Sequence, residues 1–105
     1  MRCIVLPAAD TDIIRIARYI APDSMDAAER FLVNALDTIS DIERFPRWNP
    51  LFDPDRFPGL YRKAIKGFDD YLMFYFIVND ETAHVERVLH GARDLSEQLD
   101  PLFGR

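Results

Sequence analysis

Residues 60–90 read LYRKAIKGFDDYLMFYFIVNDETAHVERVLH, and this run decides the fold. Leu60 to Lys66 is a strand in which Arg62 alternates against Tyr61 and Lys63. Asp69 to Val78 is an aromatic and β-branched run long enough for a central strand. Asn79, Asp80 and Glu81 supply turn chemistry. Thr82 to His90 then sets Ala83, Val85, Arg87 and Leu89 against His84, Glu86, Val88 and His90. The result is a three-stranded antiparallel meander whose apolar face can cover helices.

The helices lie upstream. Arg2 to Leu6 is a short β-branched-rich strand that ends at Pro7, which cannot donate to a ladder. From Ala8 to Ile20, the residues Ile13, Ile16, Ala17 and Ile20 share one helical face while Asp12, Arg15 and Arg18 point elsewhere. Ala21 to Ser24 breaks the helix, with Asp23 or Ser24 available as the next N-cap. Met25 to Arg44 keeps helical spacing through Ala28, Phe31, Leu32, Ala35, Ile39 and Ile42, uninterrupted by Gly or Pro. Phe45 to Gly59 holds four prolines, so it is a pinned loop, and its aromatic residues are expected to tuck against the helix hairpin rather than form an exposed patch. Gly91 bends the chain out of the last strand into a short tail with one helical turn around Leu95 and Leu99. The expected class is α+β: an N-terminal strand and an antiparallel two-helix hairpin packed on a mainly antiparallel β-sheet, forming one domain over residues 1–105.

Composition bounds what such a domain can do. Hydrophobic residues make up 49% of the chain, enough for one core. The lone Cys3 lies in an apolar run and reads as a small buried hydrophobe; one thiol makes neither an internal disulfide nor a multi-cysteine zinc site. Residues 1–20 lack an apolar signal region and no segment has the length of a membrane span, so a cytoplasmic protein is expected. The net charge of −5 is poor for a protein that binds by neutralising phosphates, so direct nucleic-acid binding is not expected. The charge is uneven, however: residues 8–43 hold eight acids against three arginines, and residues 44–68 hold six cations against two acids. Two halves of opposite sign suit two different partners. There is no metal-ligating cluster, glycine-rich phosphate loop or serine triad, and no cofactor is expected.

The end of the last strand is more specific. Val85 to Leu95, VERVLHGARDL, resembles the final strand and tail of the ParE-type members of the ParE/RelE toxin family, members often called plasmid-stabilisation toxins. Asp12 to Ile20, Ala27 to Phe31, and Gly59 to Arg62 followed by Tyr71 to Tyr75 agree with the same pattern. The resemblance implies a bacterial two-gene module in which a cognate, ParD-like antitoxin holds a growth-arresting toxin inactive as a hetero-oligomer. RelE-like members cut mRNA in the ribosomal A site, whereas ParE-like members inhibit DNA gyrase and need no nuclease chemistry.

Cleavage of RNA through its 2′-hydroxyl needs a base, an acid and cations around the phosphorane. Arg62 and Lys63 match the basic pair that RelE-like nucleases resemble one another in, and Arg93 matches their arginine after the last strand's glycine. Their second-strand arginine is missing here, where Tyr71 is followed by Leu72 and Met73, and the tail has no tyrosine or histidine after Arg93. His90 is either an acid or base, or a strand-end residue that bonds backbone to fix a turn. Arg87 either pairs with an acid across the sheet or makes a functional contact. The catalytic candidates of a nuclease are therefore Arg62, Lys63, His90 and Arg93, and the target-binding candidates of a gyrase inhibitor are Arg62, Arg87, His90 and Arg93. The incomplete nuclease set and acidic charge favour the inhibitor, with the nuclease, or a non-toxic member that binds only its antitoxin, as alternatives.

Overall fold

The computed structural model describes residues 1–102. Its elements are β1 (Arg2–Val5), α1 (Pro7–Ile20), α2 (Met25–Arg44), β2 (Leu60–Ile65), β3 (Phe68–Asn79), β4 (Thr82–His90) and the short α3 (Leu95–Leu99), followed by a 3-10 turn, Asp100–Leu102. Pro7 occupies the first turn of α1, where its missing N–H costs no helical bond, so the helix starts one residue earlier than the periodicity suggests. Ser24 is the cap of α2, its Oγ accepting the Ala27 N–H at 3.0 Å. Gly67, at φ +76°, supplies the left-handed backbone of the tight β2–β3 turn. Asn79 closes the next turn, its side-chain oxygen accepting from the Glu81 N–H at 2.9 Å.

The four strands are ordered β1-β4-β3-β2. The meander is antiparallel as expected, but β1 pairs parallel with β4, so the sheet is mixed. Parallel neighbours need a long connection. Here the helix hairpin and the rest of the meander provide it.

One face of the sheet carries the hairpin. Phe31 is buried edge-on between Phe68 and Tyr71, with ring centroids 5.2 and 5.5 Å away, among Ile42, Met73, Val85 and Val88. The buried Tyr75 hydroxyl donates to the Pro46 carbonyl and accepts from Asn49 Nδ2 at 2.8 Å. Burial pushes this phenol up to about 12, against the smaller opposing effect of the Asn49 hydrogen bond. Cys3 is half-buried, and burial together with Glu43 raises its thiol to about 11, which leaves little thiolate at neutral pH.

The opposite face carries a second core. Phe57, Leu60, Phe74, Leu89 and Leu99 are buried together, flanked by Phe52, Leu72 and Leu95. This corrects the expectation that the proline-loop aromatics tuck against the helices: Phe52 and Phe57 pack on the other side of the sheet. The reason is that β3 alternates two apolar faces, and its Leu72, Phe74 and Phe76 need a cover that the hairpin cannot reach. The loop and α3 supply it, joined by the Arg56–Asp100 ion pair.

A bulge breaks the expected alternation in β4. Tyr75 pairs with Val85 but Phe74 with Arg87, leaving Glu86 as the extra residue. Val85 and Val88 consequently share the helix-facing side and Leu89 turns to the other, so Ala83, Val85, Arg87 and Leu89 do not form one face. Burial raises the Glu86 carboxyl above its ordinary value, partly offset by His84. An acid with a raised folded pKa destabilises the fold where it is ionised, and that penalty disappears as pH falls through the raised value. Glu86→Gln should therefore gain on the order of a few tenths of a kcal/mol at pH 7, since the group is partly solvated. In urea titrations at several pH values the gain should shrink on acidification; a gain that grows instead would refute this account.

Candidate functional site

The features of interest gather where β1 stops. Its last ladder bond runs from the Leu6 N–H to the Val85 carbonyl at 3.0 Å, and the chain then turns into α1. Among the described residues no strand lies beside this edge of β4 from Arg87 onward. Asp12, one turn into α1, reaches back to this edge and accepts the Val88 N–H at 2.9 Å. The same carboxylate accepts from Arg87 Nε at 2.7 Å and Arg87 Nη2 at 3.0 Å. Arg87 directly follows the bulge at Glu86.

Asp12 is 4% exposed, which corrects the expectation that it points away from the face shared by Ile13, Ile16, Ala17 and Ile20. An acid in an apolar row is legible only if it is counted as part of that row. Ala9, Asp12, Ile13 and Ile16 follow the i, i+3, i+4, i+7 spacing, so Asp12 was bound to face the sheet. Arg87 is thus paired with an acid, as one of its two readings has it, although that acid comes from a helix instead of a neighbouring strand. Hydrogen bonding to Asp12 raises the Arg87 guanidinium above its ordinary value, against the cost of partial burial.

Beyond this pair lies a cleft of about 420 Å³. Ile16 and Tyr19 of α1, Tyr71 of β3, His90 at the end of β4, and Arg93 and Gln98 beyond it all line it. Arg15 also faces it, 3.6 Å from Asp12. His90 Nδ1 accepts the Ala92 N–H at 3.0 Å, and the ring stands edge-on to Tyr71 at 5.0 Å. That geometry matches the turn-fixing reading and leaves only Nε2 to meet a ligand. Sequence reasoning missed Arg15, Tyr19, Tyr71 and Gln98, because they meet only once α1 lies along β4.

Arg62 and Lys63 are elsewhere. They lie on β2, two strands and therefore about 10 Å from β4. They also face opposite ways. Lys63 shares the helix side with Tyr61 and Ile65 and lies 3.5 Å from Asn49 Oδ1, while Arg62 shares the outer side with Leu60. Arg87, His90 and Arg93 are brought together; the basic pair is not brought to them. Among the described residues, no group of three or more His, Cys, Asp or Glu is placed to hold a metal ion.

Residues 4–95 match the model of the ParE toxin of the type II toxin-antitoxin system parDE. The chain belongs to the ParE toxin family. This ParE toxin also shares its fold with a solved structure described as the chromosomal ParDE TA system from P. aeruginosa. The two are 11% identical with a TM-score of 0.68, over 86% of this chain and 95% of that one. A search of curated proteins finds no sequence match. The family match takes in the Asp12–Arg87 pair, His90 and Arg93, and ends at the first residue of α3. The remainder of α3, including the buried Leu99, lies beyond it in this toxin. No helix among the described residues is long and apolar enough to cross a membrane.

Proposed function

We propose that this ParE toxin acts in the cytoplasm by binding DNA gyrase through the surface around Arg87, His90 and Arg93, and that a cognate ParD-like antitoxin neutralises it. The observation that carries this reading is the separation of the nuclease candidates. An acid, a base and cations must converge on one phosphate to cut RNA. Here Arg62 and Lys63 are on another strand and on opposite faces, and His90 Nδ1 is engaged with backbone. What remains together is a basic, aromatic-walled surface of the kind that anchors protein contacts.

The antitoxin half has its own support. Leu32, Val33 and Leu36 leave an apolar stripe exposed along α2, flanked by Glu29 and Asp37. An amphipathic helix with basic flanks fits such a stripe. Co-expression with the adjacent reading frame should yield a stable complex. Failure to co-purify, together with unaided expression and no growth defect, would count against neutralisation.

Toxin freed from that complex and checked for folding should block supercoiling by purified gyrase and leave ribosome-bound mRNA intact. Codon-position cuts in A-site mRNA with untouched gyrase would replace this proposal with the ribosome-dependent endonuclease, and silence in both assays would point to a non-toxic member. Arg93→Ala should raise the toxin concentration needed for half-inhibition by about tenfold, the equivalent of about 1.4 kcal/mol of contact energy. Arg93 is exposed, so its melting temperature should match the wild type.

A further inference from the structure

β4 outlasts its partner. It continues to His90, whereas the strand pairing with β1 stops at Val85. A bare sheet edge offers backbone N–H and C=O groups on which another strand can form. Asp12 occupies the first of these, the Val88 N–H, at 2.9 Å. Strand alternation makes His90 the next residue to turn its main chain the same way; its carbonyl already accepts the Arg93 N–H at 3.2 Å, so its N–H is the group it offers a new strand. The cleft of about 420 Å³ opens directly beside it, within the roughly 300–1,000 Å³ typical of small binding sites.

The charge of the cleft selects the occupant. Among the described residues Asp12 is the only acid that lines it, and its oxygens already accept three hydrogen bonds. Arg15 and Arg93 line it as well, on a protein whose net charge is −5. Tyr19 and Ile16 supply an apolar wall for alternate side chains. We infer that the β4 edge from Arg87 to His90 is a docking groove for an extended acidic segment of the protein that the toxin inhibits, which adds as a short strand in line with β1 while Arg15 and Arg93 meet its carboxylates. This deepens the reading above and rests on the cleft being the target-facing surface. The antitoxin is offered a surface of a different kind, the apolar stripe Leu32, Val33 and Leu36 on α2.

The probe is a blocked pentapeptide, acetyl-Val-Glu-Val-Glu-Val-amide, titrated into full-length isotope-labelled toxin and followed by amide NMR. Its control is the same peptide N-methylated at alternate residues, which keeps the carboxylates but lacks the donors of a strand. Saturable shifts confined to residues 87–93 and 15–19, with slowed exchange of the His90 amide, are expected at millimolar or lower peptide. The N-methylated peptide, and the double variant Arg15→Glu, Arg93→Glu with unchanged circular dichroism, should each bind at least tenfold more weakly. Equal binding of the N-methylated peptide would overturn strand addition, and shifts mapping elsewhere would overturn the groove. Protection of His90 by the antitoxin in the native complex would overturn its assignment to the target. Gyrase is read separately. Toxin that binds the peptide but spares gyrase supports the groove and removes only gyrase as target, whereas toxin that inhibits gyrase but ignores the peptide overturns the groove alone.

Discussion

Asp12→Ala should cost about 3–5 kcal/mol of folding stability, the range for breaking a buried charge pair by removing one partner. The loss has two parts. Arg87, whose side chain is 23% exposed, would keep its charge beside the sheet without the carboxylate that offsets its desolvation. The Val88 N–H, which donates to the same carboxylate, would be left without an acceptor at a buried position. Against a total stability of about 5–15 kcal/mol for a small domain, such a loss is a large fraction of the margin. Asp12→Asn should fall between, because an amide oxygen still accepts from Val88 while the charge attraction is gone. Urea denaturation followed by circular dichroism measures both. The double variant Asp12→Ala, Arg87→Ala should lose less than the two single losses added, since the second change removes the orphaned partner. A loss below about 1 kcal/mol for Asp12→Ala would mean that the pair is a surface contact.

Phe57→Ala should also destabilise severely, by about 3–5 kcal/mol, although Phe57 sits in a loop with no helix or strand of its own. Loops normally tolerate substitution because they bury little. This one is different: Phe57 is fully buried against Leu60, Phe74, Leu89 and Leu99. Its removal would hollow the outer core and loosen α3, whose only buried side chain is Leu99. Hydrogen exchange should show the extra opening at residues 95–99 before it reaches α2, which is anchored on the other face of the sheet. Equal loosening of both faces would contradict the division into two cores.

The helix hairpin and the meander were legible because each rests on a period that local sequence carries: 3.6 residues in α1 and α2, two in the strands. Ser24 as cap and Asn79 as turn former were legible for the same reason, since each acts on backbone two or three residues away. The second core was not. Phe57 and Phe74 are seventeen positions apart, and nothing in a proline-rich loop says which face of a sheet its aromatics will find. The bulge at Glu86 was equally hidden, because one inserted residue reverses the later faces of β4 without disturbing its β-forming composition. The candidate site suffered from both. Arg87, His90 and Arg93 stand within one recognisable stretch, but their companions Asp12, Arg15 and Tyr19 come from a helix some seventy residues earlier. The Arg62–Lys63 pair looked like one basic feature and is two, because neighbours in a strand face opposite ways.

The stacked rings of Phe45 and Trp48, 4.5 Å apart, lie outside both cores. Trp48 is the only tryptophan in the chain and is 79% exposed. An indole already in water changes its surroundings little when the chain unfolds, so the emission maximum of the native protein should be long-wavelength and nearly insensitive to urea. Tryptophan fluorescence is thus a poor gauge of folding in this molecule. It is instead a built-in optical probe of the loop that carries it, shifting to shorter wavelength when another surface covers that corner and staying silent when a ligand settles against β4.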